Sequence, residues 1–149
     1  MRLIDERTGL DYIPRDECMR LLATQHLGRI GVVVAGRPVV LPINYVMDDS
    51  SIVFRTDDGT KFDAAVRGEF VAFEIDEVAL EYHTGWSILV TGVAEEIVDP
   101  DEQRRAERLP LRAWAPGAKS HYLRVTPVTI SGRRIVSPEP SPDDEVIDL

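Results

Sequence analysis

The chain has 149 residues, 44% hydrophobic and 29% charged, the make-up of one globular domain. Its formal net charge of −9 excludes the basic face that nucleic acid or an anionic membrane requires. A single cysteine, Cys18, excludes an intramolecular disulfide and any multi-cysteine metal site. No apolar run approaches the length of a membrane span and no charged-then-apolar leader opens the chain, so a cytoplasmic protein with no membrane partner is expected. Five of the acids fall in residues 137–149 (SPEPSPDDEVIDL), a Pro-rich segment without a base. That composition predicts a disordered acidic tail behind a single domain spanning residues 1–136.

Residues 1–13 read as a surface lead. Pro14 suits the first position of a helix, with Asp16 and Glu17 in its first turn and Cys18, Leu21 and Leu22 on one face. Gly28 is placed to end that helix, and Cys18 reads as a small core residue. Residues 27–34 (LGRIGVVV) and 37–47 (RPVVLPINYVM) read as strands joined by a two-residue loop, Ala35-Gly36. Arg29 is expected to face solvent; pairing with an acid or reaching an anion is the other reading. Pro42 cannot donate to a ladder, so it marks an edge, a bulge or a bend. A backbone leaving regular pairing there would offer its groups to a ligand; a plain edge strand is the other reading.

Asp48-Asp49-Ser50 forms a polar turn into a strand at residues 51–56, and Gly59-Thr60-Lys61 opens a helix carrying Phe62, Ala65 and Val66. A lysine early in a helix sits against partial positive charge unless an anion occupies the site. Arg55, Thr56, Thr60 and Lys61 therefore make either a compact phosphate cradle or an ordinary hairpin and helix capped by Asp57 and Asp58. Residues 69–76 alternate as a half-buried strand, and residues 85–98 form the longest strand, with Gly92 as its bulge. Asp99-Pro100 with Glu102 starts a short surface helix running to Leu109. An irregular loop carrying Trp114 follows, then two strands, 121–126 and 128–135, split by Pro127. Six to seven strands with short connections pair antiparallel and escape exposed edges by curling into a small barrel.

The three histidines, His26, His83 and His121, have no ligand spacing, so no metal site is expected. No nucleophile–base pair is evident either. His83 reads as an exposed loop residue, and Trp86, opening a long strand, as core or interface packing.

The order NYV, turn, IVFRT, DDGTKFDAA, then VAFEID and GWSILVTGVAEEI, resembles the pyridoxamine 5'-phosphate oxidase-like FMN-binding split-barrel superfamily over about residues 15–135. The resemblance implies a mainly β fold, an antiparallel split β-barrel of six to seven strands. It implies FMN held between the two protomers of a homodimer. Pro42, Ile43, Asn44 and Tyr45 would line the isoalloxazine, with Phe54, Arg55 and Thr56 under the ribityl phosphate. Gly59, Thr60 and Lys61 match the phosphate-binding helix start; Trp86 and Ser87 would reach the flavin from the partner, and Trp114 would close over it. True pyridoxamine phosphate oxidases carry an arginine-x-histidine element near the C-terminus. Here the region reads SGRRIV, without a histidine after Arg133 or Arg134, so that substrate is not implied. The expectation is a flavin-dependent oxidoreductase acting on another small molecule. A deazaflavin-dependent reductase and a non-catalytic flavin- or haem-binding module are the alternatives.

Overall fold

The computed structural model describes residues 3–5, 8–112, 121–135 and 145–147. Strands β1 (Leu3–Asp5) and β2 (Asp11–Ile13) precede helix α1 (Arg15–Leu22), and β3 (Leu27–Val34), β4 (Arg37–Asn44), β5 (Val46–Asp48) and β6 (Ser51–Thr56) follow. Helix α2 (Lys61–Val66) leads to β7 (Phe70–Ala79), β8 (Thr84–Glu96), α3 (Pro100–Glu107), β9 (His121–Ile135) and β10 (Glu145–Ile147). No helix among the described residues is long and apolar enough to cross a membrane.

The seven strands β3 to β9 pair antiparallel and curl into a split barrel. The long β9 is the strand its parts share. One of its edges carries β8; the other carries β6 at the start of the strand and β2 at its end. Alternation places Ile30 and Val32 of β3, Val71, Phe73 and Ile75 of β7, Ile88 and Val90 of β8, and Leu123 and Val125 of β9 in one core. Cys18, Leu21 and Leu22 of α1 pack into the same core, so Cys18 is the small core residue expected. The lead is more than a surface arm: β2 pairs with β9, and Ile13 is fully buried. Ala35 and Gly36 both take positive φ, 50° and 75°, which is the two-residue hairpin their sequence calls for.

Three local expectations are corrected. Helix α1 ends at Ala23, and Gly28 lies within β3, where an added Cβ would stand 2.6 Å from Cε2 of Phe73. The glycine there makes room for a core ring. Residues 37–47 are not one strand. The ladder breaks at Tyr45, whose N–H donates to the His26 carbonyl (3.0 Å) and whose hydroxyl donates to the Leu22 carbonyl (2.6 Å). Its ring meets Phe73 edge-on at 4.8 Å between centroids. Lastly, Pro127 does not split β9. Thr91 pairs with Thr129 and Gly92 with Pro127, leaving Val128 as the extra residue of a bulge. A bulge supplies the one place in a central strand where a missing N–H breaks no ladder bond.

A second, smaller core seats α3. Val53, Ile97 and Ala106 are buried together, and Asp99 caps the helix by accepting from the N–H groups of Asp101 and Glu102. Asp48, buried at the β5–β6 turn, accepts from Arg105 of α3 (2.6 Å) and Arg124 of β9 (3.0 Å). Burial alone would raise that carboxyl; the two guanidinium hydrogen bonds outweigh it and hold it below the ordinary aspartate range. Of the acidic tail, residues 145–147 form β10, parallel to β1. The rest of the tail and Trp114 lie outside the described residues.

Candidate functional site

Strand β4 pairs with β3 on one side only, so Pro42 sits on an edge strand, one of the readings its sequence left open. Between the outer edge of β4 and the end of β6 lies a cleft of about 390 Å³. Leu41, Pro42, Ile43 and Asn44 form one wall, Arg55 and Thr56 the facing wall. Asp57 and Thr60 of the following loop, Phe62 of α2 and Leu111 complete it. The Arg55 guanidinium lies over the Tyr122 ring, 5.0 Å from its centroid. The cleft is thus mainly apolar, with Arg55 and Asp57 as its charged residues.

The loop at residues 57–60 is held by a network beneath the cleft. Thr60 is the N-cap of α2: its hydroxyl accepts from the Asp63 N–H (3.0 Å) and donates to the Asp57 carbonyl (3.2 Å). The Thr56 hydroxyl donates to the buried Asp63 carboxylate (2.6 Å), whose other oxygen takes Arg67 (2.5 Å). Arg67 also reaches Glu96 (3.4 Å). His121 closes the circuit, with Nδ1 at 2.6 Å from Glu96 and Nε2 at 3.0 Å from Asp58. The carboxylates of Asp58, paired by proximity, and then Glu96, hydrogen-bonded, raise the imidazole above the usual histidine range. The i, i+4 spacing of Asp63 and Arg67 is legible in sequence; their links to Thr56, Glu96 and His121 exist only across the fold.

The structure brings Pro42, Ile43, Asn44, Arg55, Thr56 and Thr60 together in the cleft. Tyr45 and Phe54 are core residues, while Gly59 (φ 75°) and Lys61 are exposed beside the loop. Both threonine hydroxyls already serve the loop's own architecture. Trp86 and Ser87 line a different cavity, of about 560 Å³, with Asp76, Val78, Leu80 and His83. His83 is exposed there at φ 51°, as its loop position suggests. On the same outer sheet face Arg29 is exposed, as expected, and also pairs with an acid, Asp76 (3.0 Å). Burial, then the neighbouring Asp76 carboxylate, pushes Glu74 up to about 7 against the opposing pull of Arg29.

Comparison with known proteins adds to this geometry. The sequence profile of the pyridoxamine 5'-phosphate oxidase family matches residues 14–134. An uncharacterized protein of Mycobacterium tuberculosis is 36% identical over 135 residues, 87% of this chain and 88% of its own length. The FAD binding protein from Mycobacterium smegmatis superposes with a TM-score of 0.74 at 38% identity, covering 83% of this chain and 96% of that one. The FAD and heme binding protein from the same organism matches at 0.69 with 18% identity, over 87% of this chain and 75% of that one, a likeness of fold alone. Matched along its length from α1 to the end of β9, and folded as a split barrel, this chain belongs to the pyridoxamine 5'-phosphate oxidase family.

Proposed function

We propose that this chain is a flavin-binding homodimer that uses the flavin for oxidoreductase chemistry on a small molecule. The cleft between β4 and β6 carries the reading. It pairs an apolar wall and a half-paired strand edge with one arginine, the combination a flat aromatic ring bearing a phosphate arm needs. The FMN unit, free or as half of FAD, is the occupant that suits it, and the M. smegmatis relative's description as FAD binding favours the same class. When bound, the flavin supplies the two-electron step. The chain's own groups bind and orient: Arg55 offers charge to a phosphate, and the β4 edge and Phe62 shield the ring from water. Among the described residues that line the cleft there is no histidine, cysteine or serine, and the Thr56 and Thr60 hydroxyls are engaged within the loop, which is consistent with chemistry supplied by the cofactor.

In this proposal the second copy completes the pocket. Trp86 and Ser87 lie in a cavity rimmed by exposed Val78, Leu80 and Ile135, an apolar surface suited to cover by a partner. Absorbance and fluorescence titration of the purified protein with FMN and with FAD tests the reading. Wild type is expected to bind one of them in the micromolar range. Arg55→Ala should weaken binding by about tenfold or more, and Lys61→Ala, exposed beside the cleft, by less. Absence of flavin binding at tens of micromolar would overturn the proposal, and saturable binding of a deazaflavin instead would replace the cofactor while keeping the cleft.

A further inference from the structure

We propose that His121 is a positioning residue for the cleft: held between Asp58 and Glu96, its imidazolium fastens the loop at residues 57–60 to the end of β8 and makes ligand affinity depend on pH. The inference rests on reading the cleft as the flavin site. His121 is the ladder partner of Thr56, so its ring stands where β6 leaves the sheet and becomes the cleft's loop. Each ring nitrogen faces a carboxylate, Nδ1 at 2.6 Å from Glu96 and Nε2 at 3.0 Å from Asp58. The Glu96 contact has hydrogen-bond geometry; the Asp58 contact is an ion pair by distance only, and a neutral ring, carrying no charge, cannot make it.

The two partners are unequal. Glu96 is mostly buried and also held by Arg67, whereas the Asp58 side chain is 75% exposed. The other charged groups near the ring are Asp63 and Arg67 of α2, Arg55 over Tyr122, and Glu107 of α3, which shares a small cavity with Glu96, Gln103, His121 and Tyr122. Loss of the proton leaves a nitrogen lone pair facing a carboxylate, and Asp58 is the group able to swing away. Asp57 and Thr60, its neighbours in the loop, are cleft wall. Because the folded histidine is raised above its ordinary value near 6.5, the tie is complete below that value. It is lost as pH rises through the raised one.

The test titrates wild type, Asp58→Ala and His121→Gln with FMN at about pH 6 and about pH 8.5. The same samples give hydrogen-exchange protection factors for the amides of residues 57–60. Wild-type FMN affinity should fall by about tenfold across that range, the equivalent of one pKa unit of coupling. Both variants should bind weakly with no such fall, and loop protection should fall with pH only in wild type. Ionisation of the flavin itself is common to all three proteins and cancels in the comparison. Asp58 is exposed, so its variant folds even if His121→Gln does not. Equal pH slopes in wild type and Asp58→Ala would overturn the inference. If no protein binds FMN at either pH, the proposed function fails; pH-dependent protection confined to wild type would then still establish the tie, and pH-independent protection would sink it.

Discussion

Tyr45 and Asp63 show how much a single side chain settles here. Tyr45 stands within the sequence stretch expected to line a ligand, yet both of its polar groups turn inward, to His26 and Leu22, and its ring packs on Phe73. Burial raises its phenol well above the ordinary range, so it stays a neutral donor. Tyr45→Phe should cost about 1 kcal/mol in urea unfolding, the worth of one hydrogen bond to a buried carbonyl. It should leave FMN affinity unchanged, and a large loss of affinity would mean that Tyr45 belongs to the cleft after all. Asp63 likewise serves structure: one buried carboxylate receives Thr56 and Arg67, while its N–H completes the Thr60 cap.

At the level of elements, α3 has little apolar surface of its own. Ala106 is its only buried residue, and an eight-residue helix is marginal without tertiary support. What fixes it is the small core beside Val53 and Ile97 together with the ion pairs from Arg105 and Arg124 to Asp48. Asp48→Ala removes the shared acceptor and leaves the mostly buried Arg124 without its carboxylate partner. We expect a loss of about 3 kcal/mol by denaturant unfolding. Since the folded carboxyl is held below its unfolded value, its contribution is present above about pH 4 and disappears as pH falls through the lowered value. The variant should therefore lose part of the wild-type protein's acid-unfolding slope. Unchanged stability at neutral pH would show that apolar packing alone holds α3.

For the whole molecule, the outer face of the sheet leaves Val33, Val40, Phe70 and Leu89 exposed. Leu89 lies mid-sheet, paired with Glu74 on one side and Ser131 on the other. In the homodimer proposed above, this face and the Trp86 cavity meet a second copy. Leu89→Glu should yield a monomer by sedimentation with an unchanged far-ultraviolet circular dichroism spectrum. Flavin affinity should fall by about tenfold or more, because Trp86 and Ser87 no longer reach the cleft of the partner. A dimer that persists in this variant would move the interface elsewhere.

Local sequence determined a good deal of this protein. The Ala35-Gly36 hairpin, the cap at Asp99, the buried face of α1 and the alternation of β7 are readable because each depends on neighbours within a few residues. Half of the cleft was legible for the same reason: residues 41–44 are an edge strand because Pro42 cannot join a ladder on both sides. Only the tertiary structure decided what each remaining group faces. Gly28 belongs to β3 because of a ring 45 positions away, and Pro127 is tolerated because Val128 bulges opposite Gly92. His121, unremarkable in sequence, gains its partners from a loop and a strand end that the closing barrel brings to 3.0 Å and 2.6 Å. Such contacts depend on curvature and register over the whole sheet, and no local pattern of residues encodes them.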